Sequence, residues 1–199
     1  MFLASLVIAL TIPEQTAFKP LFKNPDIEIA LAASPKEPWI NASHSLPVSG
    51  ETIFALLTDF SRYETTFAGS VKSVKVLEKG DDFVRLHIIW PLPFPMRNRD
   101  AVVKYTYRKV ENQYLISWKH DAKSDDPTEG LRIEEVAGQT VITPVEASKT
   151  PQSNLTYTYY ADLGGSLPAF IKEGSYIEEP VVYFNAVRKY FSLAPISGK

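Results

Sequence analysis

Apolar and polar positions alternate through most of this chain, then change near residue 167 to steps of three and four. Alternation predicts strands, because successive side chains point to opposite faces; the longer step predicts a helix. Ile27 to Ala33 and Trp39 to Leu46 read as the first two strands, punctuated by Pro25 and Pro35. Pro47 to Gly50 is a turn. Ser49, with Thr52 as a rival, is placed to cap a helix reaching about Thr58, in which Ile53, Phe54, Leu56 and Leu57 form an apolar stripe. Phe60, Tyr63 and Phe67 carry the apolar character into a second short helix or turn.

Strands then dominate. Val71 to Lys79 leads through the turn Gly80-Asp81-Asp82 into Phe83 to Trp90. There Val84, Leu86, Ile88 and Trp90 share one face, and Arg85 and His87 the other. Ala101, Val103, Tyr105 and Tyr107 share a face of the next strand; Tyr114, Ile116 and Trp118 share a face of the one after. Asp121 to Thr128 is a polar loop, and strands are expected near Leu131 to Val136, Thr140 to Ala147 and Leu155 to Ala161. Leu167, Phe170, Ile171, Gly174, Ile177, Val181, Phe184 and Arg188 then predict one amphipathic helix from Pro168 to Tyr190, kinked at Pro180. An antiparallel sheet with one apolar face needs a cover, and this helix is the only large one. One helix does not fill the concavity of a wide bent sheet, so either large side chains fill it or a cavity remains.

Between Trp90 and Arg99 the chain reads Trp90-Pro-Leu-Pro-Phe-Pro-Met-Arg-Asn-Arg-Asp100. Proline at 91, 93 and 95 excludes helix and central strand, so this is a stiff extended bend. A proline-rich apolar loop followed by Arg-Asp and a strand of Val and Tyr resembles the START family of lipid-binding domains, bacterial members in particular. Three further stretches fit that resemblance: Ile53 to Phe60 with Tyr63, Gly130-Leu-Arg-Ile133, and Asp162-Leu-Gly-Gly-Ser-Leu-Pro168. It covers about residues 26 to 192. It implies an α+β helix-grip fold, a strongly curved antiparallel sheet of about seven to nine strands around a long C-terminal helix. It also implies binding and transfer of a hydrophobic ligand, without catalysis.

Strand parity puts Trp90, Tyr105, Tyr107, Trp118, Tyr157 and Tyr159 on the inward face, with Val103 and Ile116 among them. Tyrosine offers an apolar wall with a polar tip, which suits a hydrocarbon ligand carrying one or two oxygens: a lipid, a sterol-like molecule or an isoprenoid. Equally, such rings fill cores. Phe170, Ile177 and Val181 are expected to face the same space from the helix, and Phe94 to cap it or touch a membrane in passing. Arg99, if inward, needs a partner such as Glu134, Glu146 or a ligand head group. The family resemblance implies a buried ion pair at Arg99; a surface Arg-Asp pair is the alternative. Pro180 and Gly174 are expected to let the helix shift and open a path inward.

Composition narrows the field. The 199 residues are 45% hydrophobic and 22% charged, with net charge −2, so one domain with a sizeable core is expected and nucleic acid is a poor partner. Three histidines without shared spacing and no cysteine suggest no metal site, and no cofactor is expected. No nucleophile elbow or phosphate loop occurs; Gly164-Gly165 reads as a turn into the last helix. Asn41-Ala-Ser43 and Asn154-Leu-Thr156 match a glycosylation triplet but fall on strands. Residues 1–24 read as a leader, 25–192 as the domain and 193–199 as a frayed tail. Phe2 to Ile12 has signal-peptide length but no basic residue before it; export is favoured over a short packed helix. A monomer is expected. The runner-up function is an enzyme resembling the polyketide aromatase/cyclases on the same scaffold. A third reading, a protein-binding or pathogenesis-like module, lacks its glycine-rich loop, since Glu78-Lys-Gly-Asp-Asp82 stands there.

Overall fold

The computed structural model describes residues 11–196 except 35, 147, 148, 166 and 168; the side chains of 169–172 lie outside the description. The expectations resting on Phe2 to Leu10, Pro35, Ala147, Pro168 and the Phe170 side chain therefore lie outside the described residues.

Ten strands occur among the described residues: β1 Lys19–Lys23, β2 Ile27–Ala32, β3 Trp39–Leu46, β4 Ser73–Lys79, β5 Phe83–Trp90, β6 Arg99–Val110, β7 Gln113–His120, β8 Leu131–Arg132, β9 Val136–Pro144 and β10 Ser153–Ala161. The helices are α1 Gly50–Thr58, α2 Tyr63–Thr66 and α3 Ala169–Tyr190. The sheet runs β1-β2-β3-β10-β9-β7-β6-β5-β4 and stays open, with β1 and β4 at its edges. Neighbours along this path are antiparallel; β8 pairs parallel with β6 off the path.

Local chemistry explains most boundaries. Ser49 caps α1, its Oγ accepting from the Thr52 N–H at 3.3 Å, so Thr52 is no rival. Gly164 and Gly165 both take positive φ, 61° and 66°, in the turn ahead of α3. Helix α3 runs through Pro180 as one element, and Pro180 is buried. One face of the sheet, from Ile27 and Ile29 of β2 to Leu86 and Ile88 of β5, shares a single hydrophobic core with Phe184 and Val187 of α3.

Three expectations change. The strand expected over Leu131 to Val136 is only the two residues of β8, and β9 begins at Val136. The Arg132 side chain is directed to Asp100 and the Ile133 N–H to the Asp100 carbonyl, which pins this segment to the start of β6 rather than to a hairpin partner. Lys19–Lys23, inside the stretch read as leader, pairs with β2, and Ile12 and Phe18 pack on a small outer cluster of Ala32, Trp39, Ala137 and Tyr160. Ile196, inside the expected frayed tail, is buried; its N–H donates to Asn185 Oδ1 at 2.7 Å and its carbonyl accepts from Asn185 Nδ2 at 3.1 Å.

Candidate ligand cavity

Register assembles the inner face. Val84, Tyr105, Trp118, Gly138, Tyr159 and Ile40 lie directly opposite one another across β5, β6, β7, β9, β10 and β3. Opposite residues share a face, so one row carries two tyrosines and a tryptophan inward. Tyr107, Ile116, Thr140 and Tyr157 form the adjoining row. Gly138 breaks the first row, and the Trp118 indole occupies the space, stacking on Tyr105 at 5.7 Å and on Tyr157 at 5.6 Å between centroids.

Between these rows and α3 lies a cavity of about 710 Å³. Trp90, Arg99, Val103, Tyr105, Ile116, Trp118, Tyr157 and Tyr159 line it as the sequence predicts. Four expected residues do not line it. Tyr107 stands farther along β6, where its ring meets Phe54 at 6.4 Å and Phe60 at 5.9 Å. Phe94 is 96% exposed at the tip of the proline loop; Pro91 and Leu92 line the cavity in its place. Ile177 and Val181 pack against the hydrophobic core instead. Among the described side chains, α3 lines the cavity with Ser175, Tyr176, Glu178, Glu179, Val182 and Tyr183. Ile177 and Val181 are only partly buried beside the core, while the stripe facing the cavity is amphipathic; a search for hydrophobes alone finds only the former.

The cavity is apolar with a few polar groups. Tyr63 and Tyr105 hydroxyls meet at 3.2 Å, and Thr140 Oγ1 and Tyr183 Oη at 3.0 Å. Tyr157 donates to Glu179 Oε1 at 3.0 Å and stacks on Tyr183 at 4.0 Å. Burial pushes the Glu179 carboxyl up to about 7, against the partial pull of the Tyr157 and Tyr159 hydroxyls. Burial likewise raises the tyrosine hydroxyls at 63, 105, 157, 159 and 183, so they remain neutral donors and acceptors. Glu179 escaped the sequence reading, although Tyr176, Glu179 and Tyr183 stand three and four residues apart, a helical face in themselves.

Arg99 is inward and 4% exposed, but the ion pair expected for it does not form. Its Nε donates to the Leu163 carbonyl at 2.6 Å, Nη1 to Arg97 at 2.6 Å and Nη2 to Gly164 at 3.0 Å. Neither Glu134 nor Glu146 is its partner. The Arg-x-Arg-Asp and Asp-Leu-Gly-Gly motifs are thus one feature, in which a guanidinium satisfies the carbonyls of the turn feeding α3. The buried ion pair belongs to Asp100, on the opposite face. Arg132 Nη2 reaches Asp100 Oδ2 at 2.7 Å and His87 Nε2 reaches it at 2.8 Å. Burial opposes ionisation there, yet the hydrogen bonds from Arg132 and His87 hold the carboxyl below its usual range.

His44 contacts the Asp26 carbonyl and Arg188, so the histidines share no site. Among the described residues no group of three or more His, Cys, Asp or Glu could hold a metal, and no helix is long and apolar enough to cross a membrane. Asn41 is buried, donating to Thr158 Oγ1 at 2.7 Å, which removes one glycosylation triplet from solvent.

No protein-family model and no curated protein matches the chain. Solved structures do. A STAR-related lipid transfer protein (fragment 25-204) from Xanthomonas axonopodis superposes with a TM-score of 0.74 at 18% identity, over 88% of this chain and 99% of that one. The human StarD13 (DLC2) lipid transfer and protein localization domain gives 0.72 at 16% identity, over 90% of each. The Zhui aromatase/cyclase from Streptomyces sp. R1128 gives 0.57 at 13% identity, over 77% of this chain and 93% of that one. The superposition extends over the antiparallel sheet and the long C-terminal helix: the chain has the START-like helix-grip fold.

Proposed function

We propose that this protein binds a hydrophobic small molecule, a lipid, sterol-like compound or isoprenoid, in the cavity between the sheet and α3, and carries it without chemical change. The cavity itself carries the reading: about 710 Å³ left open by a core that is otherwise packed, within the ~300–1,000 Å³ of ligand sites. Close-packed interiors do not leave such space. Affinity comes from apolar area removed from water, at roughly 25 cal/mol per Å² before ordering is subtracted. The exposed Phe94 beside Pro91 and Leu92 gives the protein an apolar tip for brief membrane contact during exchange. The protein acts as an exported monomer in this reading. Native mass spectrometry of the purified chain, followed by organic extraction, tests it. A co-purified hydrophobic compound is expected; an apo mass persisting after incubation with mixed lipid extract would rule the reading out.

One observation favours a second reading, an aromatase/cyclase-like enzyme. Glu179, poised near neutrality in an aromatic cavity, has the properties of a general base. Turnover of a poly-β-ketone mimic, lost in Glu179→Gln, would favour it.

A further inference from the structure

The described residues contain three buried side-chain atoms without a hydrogen-bond partner: Asp100 Oδ1, His120 Nε2 and Glu179 Oε2. Only Glu179 lines the cavity. Several other polar side chains there are engaged. Tyr183 pairs with Thr140, Tyr63 with Tyr105, and Tyr176 donates to Glu37 at 3.0 Å. Arg99 is held by three carbonyls. A buried carboxylate oxygen with no hydrogen bond of its own is costly to hold, even with the Tyr159 hydroxyl close enough to pull on the same carboxyl.

We propose that Glu179 Oε2 receives the polar end of the ligand, and that this end is a hydrogen-bond donor, a hydroxyl or a primary ammonium, on a hydrocarbon body. The assignment rests on the binding reading above and adds the chemistry of the ligand. Tyr157 fixes the carboxyl through Oε1, so Oε2 keeps a constant aim. Tyr157, Tyr159 and Tyr183 stand stacked together around it, Tyr157 to Tyr159 at 4.9 Å. Ring faces suit the first carbons of a chain and also suit a cation. With the carboxyl ionised, a ligand with only an acceptor at that end would set lone pairs against lone pairs.

Three dodecyl compounds, compared at pH ~8.5 so that the Glu179 carboxyl is ionised, separate the possibilities: 1-dodecanol, dodecylamine and 1-methoxydodecane. A change in tryptophan emission reports binding to the full chain, since Trp90 and Trp118 line the cavity and lose water to the probe. The alcohol or the amine, or both, should bind at least about tenfold more tightly than the ether, the ratio expected for a hydrogen bond to a charged acceptor. The alcohol and amine arms tell a neutral donor from a cationic one. Glu179→Leu should erase the preference while the ether binds as before. Glu179→Gln places an amide N–H where Oε2 stood and should invert the preference, favouring the ether over the amine. Equal binding of all three probes, or tighter binding of the ether by the wild type, overturns the role of Glu179 and leaves the cavity reading intact. Failure of all three, the ether included, overturns both. A circular-dichroism melt of each variant confirms that it folds.

Discussion

The Tyr157 hydroxyl donates to Glu179 Oε1 at 3.0 Å and so joins β10 to α3 across the cavity. This bond spans the two walls of the site and sets a pH dependence. The Glu179 carboxyl sits at about 7 in the folded protein against an ordinary 4.5, because burial disfavours its charged form. A raised carboxyl contributes stability that is fully present below about 4.5 and lost as pH rises through about 7. At ~1.4 kcal/mol per pH unit, the loss approaches ~3 kcal/mol at pH ~8.5. Glu179→Gln, neutral throughout, should match its wild-type offset at low pH and gain up to that amount at high pH. Urea denaturation near pH ~4.5 and ~8.5 measures the difference; the same wild-type-to-variant gap at both would contradict it.

Gly138 makes room for the Trp118 indole. A Cβ built there would lie 2.6 Å from Trp118 Cε2 and 2.5 Å from the Thr158 carbonyl oxygen. Gly138→Ala should therefore destabilise by ~1–3 kcal/mol and turn the indole into the cavity. Weaker binding of a fluorescent lipid together with shifted tryptophan emission is the expected pair of results. Wild-type emission and affinity would mean the strand gives way instead.

Asp100 is fully buried and held by Arg132 and His87. Removing Arg132 leaves a buried carboxylate short of its strongest partner, so Arg132→Ala should lose ~3–5 kcal/mol at neutral pH. The Asp100 carboxyl lies below its ordinary 3.8, so its stabilising contribution exists above that value and is lost in acid. In the variant that loss should begin at higher pH. An acid titration followed by circular dichroism reads the midpoint; an unchanged midpoint would show that His87 alone suffices.

Phe94, 96% exposed, makes no contribution to the core. Phe94→Asp should leave the melting temperature and ligand affinity unchanged. Inserting one phenylalanine ring contributes ~1.5–3 kcal/mol, so transfer of a labelled lipid between vesicles should slow about tenfold or more. Unaltered transfer would remove the loop from the exchange step.

Much of the fold was legible along the chain because local rules set it. Trp39–Leu46 and the hairpin of Phe83–Trp90 show clean alternation, and Ser49 caps a helix whose stripe is plain. The cavity was legible where strand parity speaks: Trp90, Val103, Tyr105, Ile116, Trp118, Tyr157 and Tyr159 all line it. It failed on α3. Ile177 and Val181 belong to an apolar stripe that packs beside the core and not over the cavity, whereas Glu179 reads as a solvated charge until a wall is set opposite it. Arg99 failed differently: parity placed it inward, but its carbonyl partners at 163 and 164 belong to a turn no periodicity predicts.

What the sequence determined by itself is the order of the helices and of most strands, the inward face of the central strands and the stiff proline bend, because propensity, alternation and fixed φ act over a few residues. The tertiary structure alone decided how far α3 is rotated about its axis, which strand supplies each neighbour, and that Glu179 keeps one oxygen bare beside stacked tyrosines. Those depend on register and packing between segments far apart in the chain, where the free energy of a contact is set by what the partner segment presents.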